Sequence, residues 1–300
     1  MSSRTSILSR MLAAALCCSL LAPVVAQAEW GFDAGAGVNY DDNLPNALES
    51  KDRKGDTAFT ANLSAGFHQQ FGANTGASIG LVADTSAYAR YTGLNNVGAG
   101  LRAQARHKFG LGSEAPWIAL SAQAVHRDYH YDYRDGWQYD AGAILGKQLG
   151  ERWSVRGSLR YDRYTADHLQ PTVRRGISTA AYDTWGWNFG VQAGFLLTEA
   201  DTLSAGYSYR NGTVTAVTPP NYEILGFSSA VARDTVFSST TRLIAYRIAA
   251  QTDTVSLAWS HTLGRHAAVS LAYAYRRSRA DADIGAYYSN LIGLTVSYSQ

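Results

Sequence analysis

The sequence predicts an all-β fold: a transmembrane antiparallel β-barrel of about 12 strands, with short periplasmic turns and longer extracellular loops. Three observations predict it. Apolar and polar residues alternate with a period of two in segments near the ~10-residue length that crosses a membrane when tilted. The connections alternate between tight and long. The start of the chain has the layout of an export signal.

That signal comes first in chain order. Arg4 and Arg10 precede an apolar run from Met11 to Ala26, and Ala26-Gln27-Ala28 supplies the small residues of a cleavage site. Residues 1–28 are thus expected to be a signal peptide cleaved after Ala28, leaving 29–300 as one barrel exported to the bacterial outer membrane. Cys17 and Cys18 would leave with it, which excludes an exported disulfide scaffold. Removing Arg4 and Arg10 from the 26 basic residues leaves basic and acidic residues equal in number, at 24 acidic. A chain near neutrality offers nucleic acid nothing to bind. The 19 tyrosines and 28 glycines against 6 prolines suit a sheet that closes without staples.

The alternation has one polar and one apolar face. In "LRAQARHKF" from 101, Leu101, Ala103, Ala105 and Phe109 oppose Arg102, Gln104, Arg106 and Lys108. In "WGWNFGVQAGFLL" from 185, Trp185, Trp187, Phe189, Val191, Ala193 and Phe195 oppose Gly186, Asn188, Gly190, Gln192 and Gly194. Segments of this kind fall at 30–40, 57–70, 76–91, 97–109, 117–129, 136–149, 153–165, 182–197, 202–214, 242–262, 267–278 and 288–299. In the tenth the apolar parity switches near Gln251 to Asp253, which predicts a bulge. Tight turns follow the even-numbered segments. Longer polar loops follow most odd ones, at 41–56, 130–135, 166–181, 215–241 and 279–287; only "TGLNN" is short. A sandwich has no reason to sort its loops in this way, whereas an outer-membrane barrel does.

Two stretches carry a likeness beyond the pattern. "GFDAGAGVNYDDNL" and "YYSNLIGLTVSY" resemble the ends of bacterial outer-membrane β-barrel proteins, a group that includes porin-like barrels and the barrel region of surface lipoprotein assembly modifiers. The resemblance implies a partner in the outer-membrane assembly machinery, which reads an aromatic residue at the end of the chain. Here the ending is Tyr298-Ser299-Gln300, so the aromatic is displaced.

The parity of each strand places Arg90, Arg102, Arg106, Lys108, Arg156, Arg160, Arg210 and Arg276 in the lumen, with Asp33, Asp84, Asp140 and Asp162. Asn62, Gln104, Asn188 and Gln192 lie among them. An Arg or Lys facing lipid at mid-depth would cost roughly 2–4 kcal/mol, so water or mutual pairing must hold this set. Two readings follow: a cross-barrel network that seals the wall, or a pore for small polar or anionic solutes, since basic side chains outnumber acidic ones there. A non-conducting barrel that displays its loops to a partner is the alternative. The longest loop, "AVTPPNYEILGFSSAVARDTVFSST", could serve display or fold inward as a constriction.

The densest chemistry is "HRDYHYDYRDGWQYD" at 126–140, which suggests a metal or acid/base site. On a strand His126 and His130 would stand roughly 13 Å apart, too far for one zinc. No G-x-S-x-G motif occurs, and the outward histidines His107, His126 and His261 have no outward serine at matching height, so neither enzyme activity nor a metal or cofactor is expected. Tyr129, Tyr131, Tyr133, Trp137 and Tyr139 are instead expected to form an aromatic rim touching lipid and lipopolysaccharide. Asp41, Asp42 and Asn43 offer oxygens to calcium, but a strand-ending turn explains the same residues.

Overall fold

The computed structural model describes residues 28–238, 240–280 and 285–300. Residues 1–27, on which the expectation of an export signal rests, lie outside the described residues. Twelve strands close the barrel: β1 (Ala28–Asp41), β2 (Asp56–Phe71), β3 (Thr75–Tyr88), β4 (Asn96–Lys108), β5 (Trp117–Tyr129), β6 (Gly136–Leu149), β7 (Trp153–Ala166), β8 (Thr184–Leu196), β9 (Asp201–Thr218), β11 (Leu243–Leu263), β12 (Ala267–Ala280) and β13 (Ala286–Ser299). Each pairs antiparallel with the next. β9 pairs with β11, and β13 closes the ring on β1 from Asp33↔Ser299 to Asp41↔Leu291.

The period-two pattern becomes two surfaces. Leu81, Leu101, Leu120, Leu145, Val191 and Leu257 are each more than half exposed and all stand on outward rows. An apolar surface that wraps the whole barrel requires lipid around it. Where β7 follows β6 and β12 follows β11, the chain turns through Gly150 (φ 64°) and Gly264 (φ 76°), left-handed positions that glycine adopts without steric cost. The long connections gather at the opposite end.

A thirteenth strand, β10 (Ala230–Asp234), lies within the longest connection and was not predicted. It follows helix α1 (Tyr222–Phe227), whose cap residue Asn221 accepts hydrogen bonds from the amides of Glu223 (2.8 Å) and Ile224 (3.1 Å). β10 pairs with β11 from Ala230↔Arg247 to Asp234↔Leu243, above the level where β12 ends.

The expected bulge near Gln251 is absent. Register runs unbroken from Ile244 to His261 against β9 and from Ala250 to Leu263 against β12. The pattern changes there because the surroundings change. Above Ala250 both faces of β11 are covered: Leu243 and Ala245 pack with Val217, Ala232 and Phe237, while Ile244, Tyr246 and Ile248 pack with Ile224, Val231 and Tyr287. A strand buried on both faces reads as a nearly continuous apolar run, here "LIAYRIAA", broken only by Arg247.

Candidate functional site

The long-loop end of the barrel is capped. From β10 the chain runs across to the β3–β4 connection, which lies opposite β11 in the strand order. There the Phe237 ring meets Tyr91 edge-on at 5.1 Å, and Val236 packs so closely on Gly93 that a Cβ at that glycine would come within 2.9 Å of it. Between the two walls a polar network holds the segment down. Gln170 donates to the Arg233 carbonyl (2.7 Å) and accepts from its amide (2.9 Å). Arg134 pairs with Asp234 at 2.9 Å, the Tyr182 hydroxyl donates to the same carboxylate at 2.9 Å, and the Asp234 side chain is 0% exposed. The Arg134 guanidinium lies 4.4 Å over the Tyr182 ring. Burial pushes the Tyr182 phenol well above its ordinary value, so it stays protonated and donates.

The β1–β2 connection adds a second inward piece. Pro45 accepts from the Val217 amide (2.7 Å), and Asn46 donates to the Thr215 carbonyl (3.0 Å), tying this loop to the top of β9. The oxygens of Asp41 and Asp42 are engaged: Asp41 accepts from the Asn43 amide and from Arg276, and Asp42 from both nitrogens of Asn290. This is turn chemistry.

Beneath the cap three cavities follow one another down the lumen. The upper one, about 500 Å³, is bounded above by Arg134, Tyr182 and Phe237 and at the sides by Arg210 and Arg276. The middle one, about 600 Å³, holds Gln123, Gln138 and Asp140. The lower one, about 260 Å³, reaches Asp33, His68 and Gln300 at the short-turn end. Arg160, Asp162, Tyr164 and Thr184 line both the upper and middle cavities, while Arg102 and Gln104 line both the middle and lower ones.

Most lumen charges have a partner, whether a carboxylate, an amide, a hydroxyl or an aromatic ring. Arg210 binds Asp162 through two nitrogens (2.7 and 3.2 Å), and Asn188 adds a third donor at 3.0 Å. The Arg210 guanidinium lies against Gly186, where a Cβ would fall 2.5 Å from its central carbon. Arg276 pairs with Asp41 at 3.0 Å. Arg127 forks onto Asp84 and donates to Gln138 (2.8 Å). Arg102 donates to Gln123 (2.9 Å), and Asp140 accepts from Gln138 (2.8 Å). Arg106 stacks over Trp117 at 4.3 Å; that indole lies against Gly146, leaving no room for a Cβ.

The residues expected in the lumen are therefore not all together. Arg102, Arg160, Arg210, Arg276, Asp140 and Asp162 line the linked cavities. Asp84 is held by Arg127 on the adjacent wall. Arg106 and Arg156 share the inward rows of β4 and β7 but line none of the three cavities. Arg90 lies past the end of β3, with its backbone amide on Asp56 and its side chain exposed.

The expected aromatic rim divides. Trp137 and Tyr139 stack at 6.1 Å on the outward row and are exposed, as a rim requires. Tyr129 instead shares the odd-numbered inward row of β5 with Gln123 and Arg127 and lines the upper cavity. Tyr131 and Tyr133 pack against the cap core, the Tyr131 hydroxyl donating to the Arg233 carbonyl (3.1 Å). Arg127, Arg134, Tyr164, Tyr182 and Asp234 were not picked out from the sequence. Parity along β5 would have found Arg127; no local signal brings Arg134 to Asp234, a hundred residues away.

No protein-family model matches the chain. No curated protein sequence matches it either. Among solved structures it is similar to an outer membrane channel of Pseudomonas putida F1, with 11% identity over 93% of this chain and 100% of that one and a TM-score of 0.55. The NanC porin follows at 9% identity, 89% and 98% coverage and a TM-score of 0.45. The DcaP outer membrane channel of Acinetobacter baumannii is 11% identical over 92% and 97%, with a TM-score of 0.42. At such identities the likeness is one of fold: this chain is an outer-membrane-type β-barrel.

Proposed function

We propose that the protein is an outer-membrane channel for passive diffusion of small polar or anionic solutes. The observation that carries this is the run of three linked polar cavities from the cap to the short-turn end, lined by more basic than acidic side chains. A barrel built only to hold loops has no need of such a succession of polar cavities. Water in that path keeps the arginines solvated, and their excess favours anions. The outer-membrane setting is supported by the apolar outer wall, with Trp137 and Tyr139 at its upper edge as contacts for lipid and lipopolysaccharide.

One observation favours a second reading. The cap has a packed core and a buried ion pair, as a surface for a partner would, and it lies across the mouth. Planar-bilayer recordings separate the two. A barrel with residues 222–236 deleted should conduct more than the full chain. Absence of any conductance step from either protein, across a range of salts, removes the channel reading and leaves the scaffold.

A further inference from the structure

Five arginines of the inward rows and the cap line the three cavities, Arg102, Arg134, Arg160, Arg210 and Arg276, while Arg163 borders the middle one from the outward row of β7. Three are neutralised, by Asp234, Asp162 and Asp41. Arg160 and Arg102 have no carboxylate within 4.0 Å among the described residues, and they are the ones at the two junctions: Arg160 between the upper and middle cavities, Arg102 between the middle and lower. We propose that Arg160 and Arg102 are two successive anion-binding stations, each taking the carboxylate of a small organic anion as it passes down the lumen. This rests on the channel reading and adds to it where the solute binds and by which group.

The pairing pattern carries the argument. Asp162, beside Arg160 on the same row of β7, takes three hydrogen bonds from Arg210 and Asn188 and none from Arg160. Arg102 gives one nitrogen to Gln123, a neutral partner that orients the guanidinium without cancelling its charge. Both side chains are exposed, which on an inward row means exposed to the lumen. A guanidinium fork matches a carboxylate in two parallel hydrogen bonds. Two such stations in series also suit transport, since a single strong site would hold its anion while a second lets it move on. The facing wall offers hydroxyls and no net charge: Thr252, Thr254 and Ser278 line the upper cavity there, with Arg276 already paired.

The test uses the full barrel in planar bilayers under potassium chloride and then potassium acetate gradients, read as reversal potentials. Folding of each variant is checked by its heat-dependent gel mobility. The wild-type barrel should prefer anions. Arg160→Gln and Arg102→Gln should each lower the anion-to-cation permeability ratio by about threefold, the effect of removing one unit charge several ångströms from the path in water. Arg160→Lys should keep the sign of selectivity, Arg160→Glu should invert it, and Arg156→Gln, which lines none of the cavities, should stay close to wild type. Unchanged ratios in Arg160→Gln and Arg102→Gln overturn the proposal, as does an equal loss in Arg156→Gln. A wild-type and a cap-deleted barrel that both fail to conduct would overturn the channel reading itself.

Discussion

Asp234 shows how one side chain can hold a whole segment. It is fully buried, and it takes Arg134, the Tyr182 hydroxyl and the Val236 amide on two oxygens. Asp234→Asn removes the charge that justifies burying Arg134, and breaking a buried pair from one side costs about 3–5 kcal/mol. The expected outcome is a cap that opens while the barrel stays folded, seen as faster protease nicking within residues 219–242 and larger single-channel currents. Tyr182 makes the same network sensitive to alkali. Burial raises its phenol above the ordinary value of 10.0, so the folded cap keeps a proton that the opened chain loses above about pH 10. Cap stability should therefore fall as pH rises past that point. Tyr182→Phe should weaken this dependence, at a cost of about 1 kcal/mol for the lost hydrogen bond. Protease protection measured between pH 8 and 11 checks both.

At the scale of the strand, the two faces of β11 can be told apart by charge. Leu257 faces outward and is 58% exposed, while Ser256 is on the inward row beside Gly206. Leu257→Arg should destabilise the barrel by roughly 2–4 kcal/mol, read from denaturant refolding into lipid vesicles, because the charge enters hydrocarbon. Ser256→Arg places the same charge in the lumen and should still refold, with altered conductance. The period of two made this assignment legible from residues alone in β4 and β8. It misled at the top of β11, where an even apolar run looked like a bulge. Alternation reports one wet face and one dry face, and it fails wherever a strand is covered on both. Three tyrosines of 126–140 stand away from the expected rim for a related reason. Their composition suited a membrane rim, but parity assigns Tyr129 inward and the cap draws in Tyr131 and Tyr133.

For the whole molecule, closure is the property that matters, since an unpaired strand edge in lipid costs several kcal/mol for each free backbone group. The ring closes at β1 and β13 through nine paired residues of each strand. A closed barrel resists detergent, so the unheated protein should migrate faster in gel electrophoresis than the boiled one. Equal mobility would mean that the ring does not hold. Residues read in order already carried the all-β class, about twelve membrane-crossing strands, which end holds the long loops, and the inward rows of Arg102, Arg160, Asp140 and Asp162. These follow from local rules, because strand side chains alternate and lipid excludes charge along every strand alike. Long-range packing settled which of those charges are neutralised, that residues 230–237 cross the mouth, and that Arg160 and Arg102, which have no carboxylate partner among the described residues, stand at the junctions of the cavities. Those outcomes depend on pairs far apart in the chain, such as Arg134 with Asp234 and Asp41 with Arg276. Nothing in the residues around either partner encodes the distance between them once the ring has closed.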